Sequence, residues 1–372
     1  MKTAGDFCKT GFPVDIMSQS LDELVDFFDG LGLPKYRAQQ VFTWLHKKNV
    51  TSFSDMTNVP KNIQSLLAKT STINSAECVK RLVSKSDGTE KLLYKLHDGT
   101  LLESVVMDYS FGKSICISTQ AGCKMGCVFC ASGENGFERN LSAGEMLSQV
   151  YHANADLASR TSPYVLPGLC QMKKGKNCLN RIVLMGCGEP LDNFDNVVKF
   201  LHLASQSKGL NMGARHITLS TCGVVPKIYE LAEIGLQINL AVSLHAPTDD
   251  IRKELMPIAA TYSLDELIDA CKHYAFATKR RITYEYSLID GINDYADCAK
   301  KLAKLIAGSL CHVNLIPVNP CIGGFMPSSK NKAMIFAKTL QNHGIETTIR
   351  RSTGGDINAA CGQLRRLSTL HI

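Results

Sequence analysis

Three cysteines stand close together in the segment STQAGCKMGCVFCASG (118–133). Cys123, Cys127 and Cys130 are spaced C-x3-C-x2-C, and the sequence contains no second C-x2-C pair. A structural zinc site normally takes four protein ligands. A four-iron cluster held by only three thiolates keeps one iron free to bind a small molecule. The spacing therefore indicates an open iron–sulfur cluster, with a zinc ion completed by a distant fourth ligand as the alternative.

Residues that can bind ligands, through side chains or backbone, also follow several predicted strands further along the chain. In an α/β fold, the carboxyl ends of parallel strands form one binding edge. A single site that draws on every strand explains this shared placement, although each residue alone resembles an ordinary loop residue. These residues are Gly186-Cys187-Gly188-Glu189-Pro190, Ser220-Thr221, Ser243-Leu244-His245, Asp290-Gly291 and Asn319-Pro320.

The elements that must position this edge repeat as strand, loop and helix from about residue 113 onward. Six such units predict an α/β fold in which helices cover a parallel sheet, as an open or closed barrel. The expected strands are 114–119, 181–185, 217–220, 238–244, 282–288 and 312–317, and the expected helices are 142–158, 193–207, 226–234, 264–275, 295–308 and 331–343.

The first part of the chain has a different pattern. Residues 20–70 show helical periodicity that begins after a capping residue, Ser20. Residues 77–108 alternate apolar and polar side chains and break at two Asp-Gly pairs, which favour hairpin turns. These patterns predict a helical N-terminal domain (1–75), an antiparallel β-hairpin region (76–110), a barrel (111–350) and a C-terminal segment (351–372).

Composition and charge limit the class of protein. The 372 residues are 45% hydrophobic and 20% charged, which is typical of a soluble globular protein. Fifteen cysteines, without an export-like N-terminus or an apolar run that could span a bilayer, indicate a reducing, cytoplasmic location. The formal net charge of +7 fits a polyanionic partner such as RNA. The basic clusters are Lys173-Lys174 with Lys176, Lys279-Arg280-Arg281, Arg350-Arg351 and Arg365-Arg366.

The pattern C-x3-C-x-aromatic-C, with Phe129 before the third cysteine, resembles the radical S-adenosylmethionine (SAM) enzymes. The loop Gly188-Glu189-Pro190 after the second strand adds to that likeness. Nearly the whole chain is similar to one family among them, the adenine-C2 RNA methyltransferases of the RlmN type. The segments that carry this similarity are LMGCGEPLDN (184–193), STCGVVP (220–226), VNLIPVNP (313–320) and RRSTGGDINAACGQL (350–364).

The resemblance implies a partial (β/α)6 radical SAM barrel with an N-terminal helical accessory domain. It also implies a [4Fe-4S] cluster bound by Cys123, Cys127 and Cys130, whose open iron chelates SAM. Two molecules of SAM would be used in each turnover. Residue by residue, the family pattern assigns SAM contacts to part of the strand-end set, namely Gly188, Glu189, Ser220, Ser243, Leu244, His245 and Asn319.

The same family gives a reason for Cys361 in the AACGQL box. Carbon 2 of adenine is electron-poor and cannot attack the methyl group of SAM, whereas a thiolate can. The resemblance implies that Cys361 is methylated first and that a radical from a second SAM then removes hydrogen from this methyl group. It further implies that Glu103 accepts the ring proton and that Cys116 releases the product by forming a disulfide with Cys361.

The resemblance also implies substrates and partners. The targets would be an adenosine of 23S rRNA near the peptidyl-transferase centre and the adenosine beside the anticodon of some tRNAs, with RNA contacts from the N-terminal domain. The electron donor would be a flavodoxin or ferredoxin, and a monomer is the default expectation. Three features depart from the family pattern: Cys187 before the binding loop, Gly354-Gly355 where a basic residue is common, and a long stretch at 160–180 that is either an RNA-contacting loop or an insertion.

Two other interpretations stay open. The first is methylation at carbon 8 of adenine by the drug-resistance relative, against which Pro190 favours the carbon 2 enzyme. The second is a non-catalytic zinc or iron–sulfur protein that binds RNA. That interpretation accounts for the cysteine cluster and the basic charge, but it gives no role to Cys361 or to the strand-end residues.

Overall fold

A ten-stranded sheet organises the computed structural model, which describes residues 13–160, 178–319 and 324–364. Seven neighbouring strands of this sheet are parallel, and three antiparallel strands extend one side of it. In chain order, the strands are β1 (Val14–Asp15), β2 (Ser71–Thr72), β3 (Glu77–Val83), β4 (Glu90–Lys95), β5 (Leu101–Tyr109), β6 (Gly112–Cys116), β7 (Gln120–Ala121), β8 (Arg139–Asn140), β9 (Leu179–Leu184), β10 (Ile217–Thr221), β11 (Asn239–Ser243), β12 (Ile282–Leu288), β13 (Cys311–Pro317) and β14 (Thr347–Ile349).

Helices follow most of the parallel strands, as the repeated pattern predicts. The sheet order is β14-β13-β12-β11-β10-β9-β6-β5-β4-β3, so strands that follow one another in the sheet also do so in the sequence. The helices are α1 (Leu21–Gly30), α2 (Lys35–His46), α3 (Lys61–Thr70), α4 (Ala143–Arg160), α5 (Phe194–Ser205), α6 (Val225–Glu233), α7 (Asp249–Leu255), α8 (Leu264–Thr278), α9 (Ala296–Leu305) and α10 (Lys330–Asn342).

The predicted partial (β/α)6 barrel is confirmed, and each expected strand and helix overlaps an observed one. The structure adds β14, a short seventh parallel strand that pairs with β13. Among the described helices, none combines the length and the apolar character needed to cross a bilayer. The basic cluster at Lys173, the cluster at Arg365 and most of the 160–180 stretch lie outside the described residues.

The predicted β-hairpin region is continuous with the barrel sheet. Strand β5 pairs with β6 in antiparallel register, with Val105 opposite Cys116. The two Asp-Gly turns form as predicted, because Gly88 and Gly99 take the positive φ angles, +73° and +88°, that these turns require. The proposed boundary near residue 110 thus falls within a single sheet, and the division into domains stays a prediction.

The N-terminal helices pack against the barrel through α4. Helix α1 begins with the predicted cap, since the Ser20 side chain accepts from the Glu23 backbone N–H and the Glu23 carboxylate accepts from the Ser20 N–H. The apolar faces of α1 and α2 belong to the same buried core as the barrel helices. Polar contacts at this junction include the Ser142 hydroxyl on Asp15, at 2.8 Å. The N-terminal helices therefore share one core with the barrel.

A buried amide fixes the beginning of the cysteine loop. The side chain of Gln149 in α4 accepts from the Ser118 N–H at 3.0 Å and donates to the Ser118 carbonyl at 3.0 Å. Its oxygen also accepts from the Ser104 hydroxyl of β5 at 2.6 Å. Gln149 is fully buried, so each of these bonds replaces water that cannot reach the site. The loop that carries the three cysteines thus leaves the sheet from a fixed point.

His46 at the end of α2 makes folding dependent on pH. Its ring is buried and its Nδ1 lies 2.9 Å from the Tyr151 hydroxyl, and burial lowers the pKa of His46 to about 3. The unfolded chain binds a proton at His46 near pH ~6.5, whereas the folded chain does so only near the lowered value. The free energy of unfolding should therefore fall as pH decreases from about 6.5, with a His46 contribution of up to about 1.4 kcal/mol per pH unit.

Replacement of the imidazole tests this expectation. In His46→Phe, the slope of the unfolding free energy against pH should decrease by up to about 1.4 kcal/mol per pH unit. Urea denaturation between about pH 4.5 and 6.5 measures this slope, because His46 binds a proton only in the unfolded chain over that range. Tyr151→Phe is the control, because it removes the hydrogen bond and retains the buried imidazole. An unchanged slope in His46→Phe would contradict the assignment.

Candidate active site

The three cysteines of the loop after β6 line one cavity at the carboxyl edge of the parallel strands. The loop is held from two sides. The Val128 N–H donates to the Leu255 carbonyl at the end of α7, at 3.1 Å, and the Ala131 N–H donates to the Gly362 carbonyl, at 2.7 Å. The cysteine loop therefore lies between α7 and the C-terminal segment.

The cavity also gathers most of the residues that the sequence singled out. Six strand-end residues and the predicted methyl acceptor share its walls with the cysteines. They are Gly188, Glu189, Ser220, Ser243, His245, Asn319 and Cys361. Residues from five parallel strands or the loops that follow them thus meet the C-terminal segment at one place.

Three predicted site residues lie elsewhere. Leu244 is fully buried away from the cavity walls, and its carbonyl accepts from Arg252 Nε at 3.3 Å. Cys116 lines an adjoining cavity, whose wall also includes Cys361. Glu103 is buried in β5 and belongs to the walls of neither cavity, and its carboxylate lies 2.8 Å from Lys91 Nζ.

Glu189 joins three strand-end loops through its carboxylate and its backbone N–H. Its Oε1 accepts from the Leu191 N–H at 2.9 Å, and its Oε2 accepts from the Cys222 N–H at 2.7 Å. Its own N–H donates to the Gln120 side chain at 2.8 Å. Burial raises the pKa of Glu189, and the backbone donors oppose that effect by favouring the carboxylate. The Thr221 and Cys222 side chains also donate to this carboxylate, so its orientation is fixed by several partners.

His245 presents a neutral imidazole to the cavity. Its Nδ1 accepts from the Ser287 N–H at 2.9 Å, which places the ring proton on Nε2. Burial, together with the Arg252 charge, lowers the pKa of His245 to about 3. The ring packs edge-on against Phe129, with centroids 4.9 Å apart. His245 is therefore a hydrogen-bond donor at neutral pH, with a fixed orientation.

The segment that carries Cys361 is fastened by three parts of the molecule. The Asn319 side chain donates to the Cys361 carbonyl at 3.1 Å, and the Ser132 hydroxyl of the cysteine loop donates to the Leu364 carbonyl at 2.7 Å. The hairpin region supplies the third contact, since Asp87 Oδ2 accepts from the Gly354 N–H at 2.8 Å.

Cys116 and Cys361 are both free thiols. Cys116 is buried at the end of β6, and burial raises its pKa to about 12. A protonated thiol is a poor nucleophile. Cys116 therefore does not attack a neighbouring sulfur until its proton has somewhere to go.

Three further charged residues at the cavity were missed by the sequence interpretation. Glu285 and Arg350 line it, and Arg252 lies behind its wall. Arg350 was assigned only to a basic cluster that fits a polyanionic partner, but it lies between the two cavities, and the nearby Cys361 thiol is the main reason that its pKa is raised. The sequence gives no signal for Arg252 or Glu285, because an isolated charge in a helix or strand is usually solvent-exposed.

The chemistry of the cysteine loop fits an iron–sulfur cluster. Its three thiols line the wall of one cavity, and such a cluster takes one thiolate at each of several irons. Burial raises the pKa of Cys123 to about 12 and raises that of Cys127 further, with thiol–thiol repulsion adding to it. The positive charge of bound iron would offset this cost and hold the three cysteines as thiolates.

Comparisons with known proteins agree with this geometry. Residues 14–73 match the family described as "Ribosomal RNA large subunit methyltransferase N-terminal domain", and residues 171–306 match the radical SAM superfamily. A crystal structure of a radical SAM methyltransferase from Sphaerobacter thermophilus superposes with a TM-score of 0.86 at 40% identity, over 95% of this chain and 99% of that one.

Curated relatives match over the same length. A "Probable dual-specificity RNA methyltransferase RlmN" from Clostridium novyi (strain NT) is 50% identical over 95% of this chain and 98% of its own length. A protein with the same description from Thermoanaerobacter sp. (strain X514) is 45% identical over 95% of this chain and 98% of its own.

A three-cysteine loop at the carboxyl edge of a partial barrel, together with these matches, defines the class as the radical SAM methyltransferases. Within that class, the chain belongs to the RlmN family of RNA methyltransferases. Enzymes of the superfamily use a [4Fe-4S] cluster and SAM. Cys123, Cys127 and Cys130 are the residues that would hold the cluster here.

The close packing of Gly188 against Gln120 can be tested by substitution. Its φ angle is +108°, and a Cβ atom at this position would lie 2.6 Å from Gln120 Cβ and 2.8 Å from the Gln120 nitrogen. We expect Gly188→Ala to displace the loop that carries Glu189 and to weaken SAM binding at least tenfold, or about 1.4 kcal/mol. Isothermal titration of the reconstituted protein measures this.

Gly235→Ala is the matched control for that substitution. Gly235 also has a positive φ, +72°, but a Cβ there meets no atom within 4 Å. This variant should bind SAM normally. Equal losses in both variants would mean that backbone strain, rather than the collision with Gln120, is responsible.

Proposed function

We propose that this chain methylates carbon 2 of adenosine in RNA through an S-methylated Cys361, using two molecules of SAM per turnover. The observation that carries the proposal is the position of Cys361 in the walls of both cavities, one with the three cysteines and one with Cys116. A single sulfur can thus receive a methyl group at one cavity and be released by a second thiol at the other.

Cys361 acts first as a nucleophile. Its thiolate attacks the methyl carbon of the first SAM, the new S–CH3 bond forms, the sulfonium bond breaks and S-adenosylhomocysteine leaves. The guanidinium of Arg350, which interacts electrostatically with this sulfur, supports the anionic form during the attack. When bound, the [4Fe-4S] cluster supplies the electron that cleaves a second SAM into methionine and a hydrogen-abstracting 5′-deoxyadenosyl radical.

Release of the product uses Cys116 and Glu103. After hydrogen is lost from the S-methyl group, its carbon bonds to carbon 2 of the adenine ring, and Glu103 accepts the ring proton. Cys116 sulfur then bonds to Cys361 sulfur as the carbon–sulfur bond breaks, and the thiol proton supplies the third hydrogen of the new methyl group. One electron remains in this balance, and a [4Fe-4S] cluster held by Cys123, Cys127 and Cys130 would accept it.

Lys91 supports the assignment of Glu103. The Lys91 ammonium lies 2.8 Å from the Glu103 carboxylate and donates to the Asn358 carbonyl at 3.1 Å. Asn358 belongs to the same segment as Cys361. Lys91 therefore links the proposed base to the proposed methyl carrier and holds the carboxylate near it.

We propose 23S rRNA and tRNA as the substrates, because the curated relatives are described as dual-specificity RNA methyltransferases. The N-terminal helices support RNA contact, since Lys35, Lys47 and Lys48 are exposed and the Lys48 ammonium lies 3.4 Å above the Trp44 ring. Cationic and aromatic side chains together suit the phosphates and bases of a structured RNA. No observation favours the carbon 8 reaction or a non-catalytic RNA-binding protein, and mass-spectrometric mapping of the methyl position tests the former.

The reaction needs a one-electron donor, for which we propose a flavodoxin or ferredoxin. We also propose a monomer as the working unit. A cytoplasmic location fits RNA substrates and free thiols.

Removal of the releasing thiol should trap the reaction. In Cys116→Ala, the methylene bridge between Cys361 and adenine cannot be cleaved by disulfide formation, so a covalent protein–RNA adduct should accumulate. Nuclease digestion and peptide mass spectrometry should find the nucleotide on the peptide that contains Cys361. Cys271→Ala, at a buried core cysteine of α8, is the control and should turn over without an adduct. Release of methylated RNA by Cys116→Ala at the normal rate would refute the assignment.

The hairpin contact with the Cys361 segment can be tested separately. Asp87→Ala removes the acceptor for the Gly354 N–H, and loss of one such bond, about 1 kcal/mol, should slow Cys361 methylation about fivefold. Intact-protein mass spectrometry follows this step. Asp98→Ala removes the corresponding aspartate from the other Asp-Gly turn, whose Oδ2 contacts Arg139 instead, and should have no such effect. Equal rates in the two variants would contradict a positioning role for Asp87.

A further inference from the structure

Arg252 in α7 is a fully buried cation outside the set of residues that the mechanism uses. No part of its side chain is exposed, and it is the largest fully buried side chain among the described residues. None of the ion pairs found in those residues includes it. Burying a charge without a compensating charge is costly. The position of this guanidinium therefore calls for an anionic group nearby.

The hydrogen bonds of Arg252 account for only part of its donors. Nη2 donates to the Cys222 carbonyl at 2.7 Å, and Nε donates to the Leu244 carbonyl at 3.3 Å. The remaining nitrogen, Nη1, is buried and has no hydrogen-bond partner. Both carbonyl acceptors belong to strand-end loops that carry cavity residues, so the guanidinium ties the β10 loop to the β11 loop.

The helix that carries Arg252 packs directly on the cysteine loop. The Val128 N–H donates to the Leu255 carbonyl at 3.1 Å, and Cys127 packs in a small apolar cluster with Cys222, Leu255 and Met256. Burial lowers the pKa of Arg252, and electrostatic interactions with Cys222, Cys127 and the Asp249 carboxylate only partly oppose that effect. The buried cation thus lies behind the wall of the cavity that holds the three cysteines.

We propose that Arg252 is a positioning residue whose charge compensates the cluster bound by Cys123, Cys127 and Cys130 and stabilises its reduced state. Three thiolates give the oxidised cluster a net negative charge, and one-electron reduction adds another. A fixed positive charge nearby favours the more negative state, and the low dielectric of the interior strengthens this effect. This inference concerns the cluster alone and is independent of the RNA substrate and of the roles proposed for Cys116, Glu103 and Cys361.

A redox titration of the reconstituted protein tests it. The reduced cluster is followed by electron paramagnetic resonance in the absence of SAM and RNA, and iron and sulfide contents are measured for each variant. Arg252→Met removes the charge at similar length, and the ratio of reduced to oxidised cluster at a fixed potential should fall at least tenfold. That change equals about 59 mV for a one-electron couple. Arg252→Lys retains the charge, and its cluster should keep a midpoint reduction potential close to that of the parent protein.

Arg280→Met is the matched control. Arg280 bonds to the Asn239 side chain at the first residue of β11, on the opposite edge of the sheet from the cysteines. The substitution removes the same net charge, and the midpoint should not change. A shift as large as that of Arg252→Met would show that overall charge, rather than the position of Arg252, is what matters.

Two results would overturn the proposal. One is a fully loaded Arg252→Met protein with the parent midpoint, and the other is an equal shift in Arg252→Lys. If Arg252→Met does not fold, Arg252→Gln, which keeps an amide donor without the charge, carries the same test. Failure of both neutral variants to fold without metal would assign Arg252 a structural role and would also reject the proposal.

Discussion

The geometry of the site depends on the hydrogen bonds of Glu189. Its carboxylate accepts from backbone donors on its own loop and on the loop after β10, and its backbone N–H donates to Gln120 in the cysteine loop. Three separate strand ends are thereby held in one arrangement. Parallel strands only bring these loops to a common edge, and directional bonds from a buried carboxylate are needed to fix their spacing.

The charges around the cavity follow from the same constraint. A site that receives a cationic sulfonium and an anionic cluster cannot be lined by apolar residues alone. Its wall contains neutral His245, the carboxylate of Glu285 and the guanidinium of Arg350, with Arg252 behind it. Burial shifts the pKa of His245 downward and that of Glu285 upward, toward the neutral form in both cases. The two arginines remain charged, because the guanidinium does not lose its proton in proteins.

Sequence patterns predicted the elements well and the long-range contacts poorly. The strand at 282–288 and the helix start at Ser20 follow from local periodicity and capping, so they could be read directly. The bond between Asp87 and Gly354 joins positions that are 267 residues apart, and no local pattern reports it. The place of Arg350 between the two cavities escaped notice for a similar reason, since its charge is visible in the sequence and its surroundings are not. Residue roles such as those of Cys116 and Glu103 came from the family pattern and stay predictions.

The unequal exposure of Cys116 and Cys361 has a consequence for regeneration of the enzyme. Only Cys361 is partly open to solvent, whereas Cys116 is covered by β5 and the C-terminal segment. If the proposed chemistry joins the two sulfurs, an incoming reductant can reach only the Cys361 side, and Cys116 must depart as the leaving thiolate. A leaving group of high basicity departs slowly. Reduction of the disulfide between Cys116 and Cys361, rather than the radical step, would then limit the rate of turnover.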